Sequence, residues 1–131
     1  MSWHQVEWAV HAMANSLKRK YRGRLRRAPG IYAPARGGLP LAVALSHMLN
    51  LPLLRTPRDG CVWVDDIYDS GLTYRRDKAR AKRMMPCVWV AHHGAPVMHV
   101  RAVDDDVWTI FPWEDADKAA ESARAYAISR Q

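Results

Sequence analysis

The sequence predicts an α/β fold, a single domain (1–131) on a mostly parallel, twisted sheet flanked by helices. Three observations predict it. Short runs at 61–64 and 87–91 are apolar on both faces, as strands inside a parallel sheet are. Such runs alternate with stretches of helical periodicity, the order of βαβ units. And 131 residues, 49% hydrophobic and 25% charged, are enough for one core without staples. That composition excludes a disordered tail, a collagen-like fibre and a coiled coil.

The elements follow in order. Ser2 and Gln5 make a capping box. Val6, Val10, Met13 and Leu17 then recur at helical spacing, so an amphipathic helix runs from 3 to about 20. Pro29 and Gly30 break the chain, and 31–34 form a short buried strand. Gly37 and Gly38 turn it, and Pro40 leads into a helix over 41–49 that Asn50 and Pro52 stop. A second short strand is expected at 51–54 and a turn at 58–60. After the strand at 61–64 come a polar loop (65–71) and a basic helix (73–84). The strand at 87–91 is followed by a turn at 92–96, further strands at 97–103 and 107–111, and an Ala-rich helix over 115–128.

The longest apolar run, 39–45, is too short to span a bilayer, and no basic flank joins a long apolar stretch at the N-terminus. A cytoplasmic protein with no membrane partner is expected. Cys61 and Cys87 each open an apolar run, which points to two buried free thiols rather than a bridge. The net charge of +7 is uneven: +8 over residues 1–60 and −1 over 61–131. The excess gathers between Lys18 and Arg27, with a second cluster between Arg75 and Arg83. Such a surface attracts nucleic acid or a small phosphorylated ligand, or is simply a solvated face; charge alone does not decide.

The chemistry belongs at the carboxyl ends of the strands, where open parallel sheets bind ligands. Two strand-to-helix loops there are unusual. In APARGG, the consecutive glycines Gly37 and Gly38 let backbone N–H groups crowd an anion, the next helix adds its positive end, and Arg36 adds a permanent charge. In VDDIYDSGLT, Asp65 and Asp66 follow an apolar strand, Asp69 comes three residues later, and Ser70, Gly71 and Thr73 open a helix. Hydroxyls and N–H groups at a helix start wrap a phosphate monoester. A carboxylate pair before it suits a sugar diol, or Mg²⁺ held by one or two oxygens.

This segment resembles the phosphoribosyl-diphosphate signature of type I phosphoribosyltransferases: apolar strand, two acids, two variable residues, Asp, Ser or Thr, Gly, any residue, Thr. Every position matches. IYAPARGG is similar to the family's pyrophosphate loop, VDDDVWTIFPWE to the base-binding segment of the xanthine-guanine and hypoxanthine branch, and SWHQVEWAVHAMANSL to that branch's first helix. The resemblance implies Mg²⁺ dependence and transfer of a 5-phosphoribosyl group from phosphoribosyl diphosphate to a nitrogen of a purine-type base. It places Asp65 and Asp66 on the ribose hydroxyls and the metal, and Asp69 beside the base as general base or electrostatic partner. It places Ser70, Gly71, Thr73 and the backbone at Leu72 on the 5-phosphate, and Arg36, Gly37 and Gly38 on the pyrophosphate. Trp108 would stack on the base, with the backbone at Thr109 reading its edge. Phe111 and Trp113 are read as packing, and Tyr68 as a candidate to line the pocket.

Two departures from the family stand out. Its Lys that reads the purine 6-oxygen is matched here by His92 or His93, with His92 taken as base-binding. Its long excursion that forms a lid is reduced to residues 55–60. The resemblance therefore implies an enzyme of nucleotide salvage or modification, compatible with a homo-oligomer. The alternative is a non-catalytic regulatory or nucleic-acid-binding module that keeps the phosphoribosyl pocket.

Overall fold

In a computed structural model of the chain, residues 2–104, 106–115, 117, 118, 121, 124, 125 and 128 are described. Helix α1 (Trp3–Lys20) starts at the expected capping box: Gln5 N donates to Ser2 Oγ (3.3 Å) and Ser2 N to Gln5 Oε1 (2.7 Å). Its buried stripe is Val6, Ala9, Val10, Met13, Ala14 and Leu17. A five-residue helix, α2 (Arg22–Arg26), follows. It left no periodic trace because only Leu25 is buried.

Strand β1 (Ile31–Tyr32) is shorter than expected, since Ala33 and Pro34 leave the ladder and proline has no N–H to give it. Helix α3 (Leu39–Leu49) carries Pro40 in its first turn and ends on Asn50 in the left-handed conformation, φ 53°. Segment 51–54 contributes one bridge, Leu53 to Ile31, rather than a strand. Strand β2 (Val62–Tyr68), helix α4 (Leu72–Lys78), strand β3 (Met85–His92) and strand β4 (Met98–Val103) complete the series. The sheet order is β1-β2-β3-β4 and every pair is parallel. The expected α/β fold with a parallel, helix-flanked sheet is therefore present.

Several boundaries differ from expectation, each for a physical reason. Strand β2 continues through the acids to Tyr68, because β3 is long enough to pair with it as far as Ala91. Asp65 and Asp66 are thus strand residues, not loop residues. Helix α4 stops at Lys78 instead of 84: Lys82 N donates to Asp59 Oδ1 (2.7 Å) and Lys82 O accepts from Gly60 N (2.8 Å), which draws the chain towards the start of β2. Residues 107–111 form no strand. Val107 N donates to Asp104 O (3.1 Å) and Phe111 N to Glu114 Oε1 (2.9 Å), so the segment turns instead of extending. Of the Ala-rich helix expected over 115–128, residues 117, 118, 121, 124, 125 and 128 are helical, and 116, 119, 120, 122, 123, 126 and 127 lie outside the described residues. Between β3 and β4 only residues 93–97 intervene. The register Cys87–Met98 requires a return of about 16 Å, and six residue steps reach about 20 Å, so this connection has no room for a helix.

Both sheet faces are covered. The helices α1 and α3 pack with Ile31, Val62, Val64, Met85, Cys87 and Trp89 on one. Trp63, Ala81, Met84, Val88, Ala91 and Val97 form the other. There the fully buried Asp77 of α4 accepts a hydrogen bond from Trp63 Nε1 (3.0 Å) and faces Arg76 Nε (3.3 Å), which ties α4 to the sheet. Cys61 and Cys87 are buried and free, as expected, and burial pushes the Cys87 thiol up to about 12. No helix of the described residues is long and apolar enough to cross a membrane.

Candidate active site

Parallel strands deliver their carboxyl ends to one edge of the sheet, and three chain segments meet there. The first is the loop from β1 to α3. A Cβ on Gly37 would run into the Asp66 carboxylate, and one on Gly38 would lie 2.7 Å from Val64 O and 3.0 Å from Asp65 Cα. Glycine is required at Gly38, where a Cβ would meet β2 backbone, while at Gly37 a side chain would have to displace the Asp66 carboxylate from the loop. The Ala35–Arg36 peptide is cis, and the Arg36 side chain is exposed at the site.

The second segment is the end of β2. Asp66 N donates to Asp65 Oδ1 (2.8 Å). Burial, then the neighbouring Asp66, push the Asp65 carboxyl up to about 8; burial also raises Asp66. Successive strand residues point to opposite faces. Accordingly Asp66 lines a cavity of about 800 Å³, whereas Asp65 lines a smaller hollow of about 150 Å³. Asp69 borders both. The β2–β3 register sets Tyr68 beside Ala91, so Asp69 comes level with His92, and His92 Nε2 donates to Asp69 Oδ1 at 2.6 Å. His92 thus reaches the site through Asp69. His93 instead faces Asp104, at 3.4 Å.

The smaller hollow is lined by Trp63, Tyr68, Ser70, Gly71, Leu72 and Thr73, among others. Gly71 has φ 80°, which favours glycine. Leu72 N donates to Ser70 Oγ (3.3 Å) and Arg75 Nη1 to Ser70 O (3.2 Å), so the turn is braced from within. The N–H groups of Thr73 and Tyr74, in the first turn of α4, have no intrahelical acceptor. The Tyr68 hydroxyl occupies the place a Gly71 Cβ would take, which puts its ring at the rim.

The third segment follows β4. Trp108 and Thr109 line the large cavity opposite Arg36, Gly37, Asp66 and Asp69. Phe111 and Trp113, expected as packing, do stack on each other (centroids 5.1 Å, planes 5° apart) and lie tilted against Trp89, and they also wall the cavity. Sequence reasoning missed Leu39, Pro40, Val43, Glu114 and Lys118 as lining residues. The first three are helix residues whose apolar character reads as core. Lys118 sits in a composition that signals only a helix.

The carboxylates are the donors that a cation would meet. Among the described residues no third His, Cys, Asp or Glu joins Asp65 and Asp66. Two adjacent half-buried carboxyls, once ionised, can offer one or two oxygens to a hard cation that keeps waters or ligand oxygens elsewhere. That is how Mg²⁺ is usually held, so the pair fits it.

This sheet and its helices define the type I phosphoribosyltransferase fold, and the chain is related at low identity to purine phosphoribosyltransferases. It is 27% identical over 145 residues to a xanthine-guanine phosphoribosyltransferase of Gluconobacter oxydans (strain 621H), covering 88% of this chain and 84% of that protein. The crystal structure of a purine phosphoribosyltransferase from Pyrococcus horikoshii Ot3 matches with TM-score 0.65 and 27% identity, over 88% of this chain and 92% of that one. A hypothetical protein from Neisseria gonorrhoeae, solved with bound ppGpp, shares the fold over 100% of this chain and 96% of its own, with TM-score 0.68 and 15% identity. No protein-family model matches the chain.

Proposed function

We propose that the protein transfers the 5-phosphoribosyl group of phosphoribosyl diphosphate to a ring nitrogen of a purine-type base, releasing pyrophosphate. The observation that carries this is the 800 Å³ cavity, which gathers Arg36 and Gly37, Asp66 and Asp69, and Trp108 and Thr109 from three separate segments. Their chemistries are complementary: an anion-binding loop, a carboxylate positioned by His92, and an aromatic platform.

In this reading the 5-phosphate lies in the smaller hollow, on the first-turn N–H groups of α4 and the Ser70 and Thr73 hydroxyls. Asp65 and Asp66 take the ribose hydroxyls. The pyrophosphate lies against Arg36, Gly37 and Gly38, and the base stacks on Trp108. As the bond from C1 to the pyrophosphate oxygen breaks, the base nitrogen forms its bond to C1 and gives its proton to Asp69. The Asp69 carboxylate also faces the positive charge that grows on the sugar. The His92 N–H fixes the orientation of that carboxylate. Mg²⁺, when bound, would neutralise the leaving pyrophosphate, and Asp65 with Asp66 would hold it.

A second reading rests on one observation. Leu53 and Val62 both lie opposite Ile31, so residues 55–60 leave and re-enter the sheet at the same level and build no excursion over the site. Without a cover, the pocket would bind a nucleotide such as ppGpp and not turn substrate over. Incubation with phosphoribosyl diphosphate, Mg²⁺ and a panel of hypoxanthine, guanine, xanthine and adenine, read by mass spectrometry, separates the two. The proposal expects a nucleotide and pyrophosphate from at least one base. Tight binding of ppGpp with no product from any base would favour the second reading.

A further inference from the structure

The basic residues between Lys18 and Arg27 and between Arg80 and Arg83 take no part in the cavity, yet the fold gathers them. The seven cations between Lys18 and Arg27 close α1 and build α2, which lead into β1. Arg58 lies in the connection before β2, and Arg80, Lys82 and Arg83 in the one before β3. Connections that precede parallel strands meet at their amino ends, the edge opposite the cavity. Hydrogen bonds knit these three together: Arg24 Nη2 donates to Arg83 O (2.5 Å), Gly60 N to Lys82 O (2.8 Å) and Lys82 N to Asp59 Oδ1 (2.7 Å). Lys20 and Arg24 both stand over the Tyr21 ring, at 5.3 and 5.1 Å, which orders that part of the surface. All eleven of these cationic side chains are exposed. The neighbouring acids offset part of this charge: the fully buried Asp77 faces Arg80 Nη1 at 3.9 Å, while Asp59 is tied to the Lys82 amide, so ten of the eleven cations keep no carboxylate partner among the described residues.

We propose that this amino-end face binds the phosphate backbone of a nucleic acid. Eight of the eleven cations are arginines, whose planar, permanently charged forks pair with phosphate oxygens. They spread over three connections, as suits a polyanion that extends across a surface. An anionic membrane fits less well. Among the described residues, none of the large apolar side chains that are exposed lies in 18–27, 55–60 or 79–84, so nothing on this face would enter a bilayer. The proposal is independent of the catalytic reading, because it uses the opposite edge of the sheet.

The test is fluorescence anisotropy with labelled single-stranded RNA and duplex DNA of about 20 nucleotides or base pairs, titrated between about 50 and 200 mM salt. At least one probe is expected to bind with affinity that falls steeply with salt. Arg22→Gln with Arg26→Gln is expected to weaken that binding about tenfold and flatten the salt slope by about two. The charge-matched pair Arg101→Gln with Arg124→Gln, outside these connections, is expected to change it less than about twofold. Thermal melting checks that the variants fold; if the first pair melts early, Arg58→Gln with Lys82→Gln carries the test. The inference is overturned if neither probe binds, if binding ignores salt, or if both charge-matched pairs weaken it alike. Equally tight binding to phosphatidylglycerol vesicles, lost in the same variants, would overturn it in favour of a membrane.

Discussion

Asp69 occupies the position on which the proposed chemistry turns. It directly follows β2, borders both hollows and is held by His92 at 2.6 Å. An Asn there keeps the size and the hydrogen bond but accepts no proton. Asp69→Asn is therefore expected to lower kcat about 10²- to 10⁴-fold while KM for phosphoribosyl diphosphate moves only a few-fold. Steady-state kinetics on both substrates checks this; a change confined to KM would make Asp69 a binding group only. Asp65 gives a second test at this scale. Its carboxyl is raised to about 8 by burial and Asp66, so between about pH 4 and 8 the folded chain holds a proton that the unfolded chain has released. Stability must then fall as pH rises through that window. Asp65→Asn removes this contribution, and urea unfolding at a series of pH values is expected to show a flatter profile for the variant. The same proton must leave before a cation can bind, so Mg²⁺-dependent ligand affinity is expected to rise with pH up to about 8.

At the scale of elements, the end of β2 and the loop before α3 form one packed unit. A methyl group on Gly38 would meet β2 backbone, 2.7 Å from Val64 O, and backbone cannot swing aside as a side chain does. Gly38→Ala is expected to cost about 2 kcal/mol in denaturant unfolding and to weaken pyrophosphate binding together with stability. Asp77→Ala should cost about 3 kcal/mol, since it strands the Trp63 indole N–H in the core and frees α4 from the sheet. The capping box of α1, the buried strands β2 and β3 and the glycine loop were legible in the sequence because each has a strong local signal: a cap pair, a two-sided apolar run, a dipeptide. What was not legible was set by partners distant in the chain. β2 runs on through Asp65 and Asp66 because β3 pairs with it. α4 ends early because Asp59 and Gly60 hold Lys82. Residues 107–111 look like a strand by composition and turn instead because Glu114 captures the Phe111 amide.

Across the whole molecule, the sheet separates two chemistries. Its carboxyl edge carries the carboxylates, the glycine loop and the aromatic wall; its amino edge carries most of the positive charge. The net charge of +7 was visible at once, but its placement away from the cavity was not, because it depends on which connections share an edge. Within the site, the motif residues 65–73 were legible as a group, yet their division between two hollows follows from the alternation of β2 and from Tyr68 standing over Gly71. The most direct measurement is a crystal structure of the protein with phosphoribosyl diphosphate and Mg²⁺. The 5-phosphate is predicted against the amides and hydroxyls of Ser70 to Thr73, with the pyrophosphate at Arg36 to Gly38 and the ribose beside Asp65 and Asp66. A ligand bound elsewhere, or a saturated solution that leaves the turn closed under Tyr68, would contradict the account.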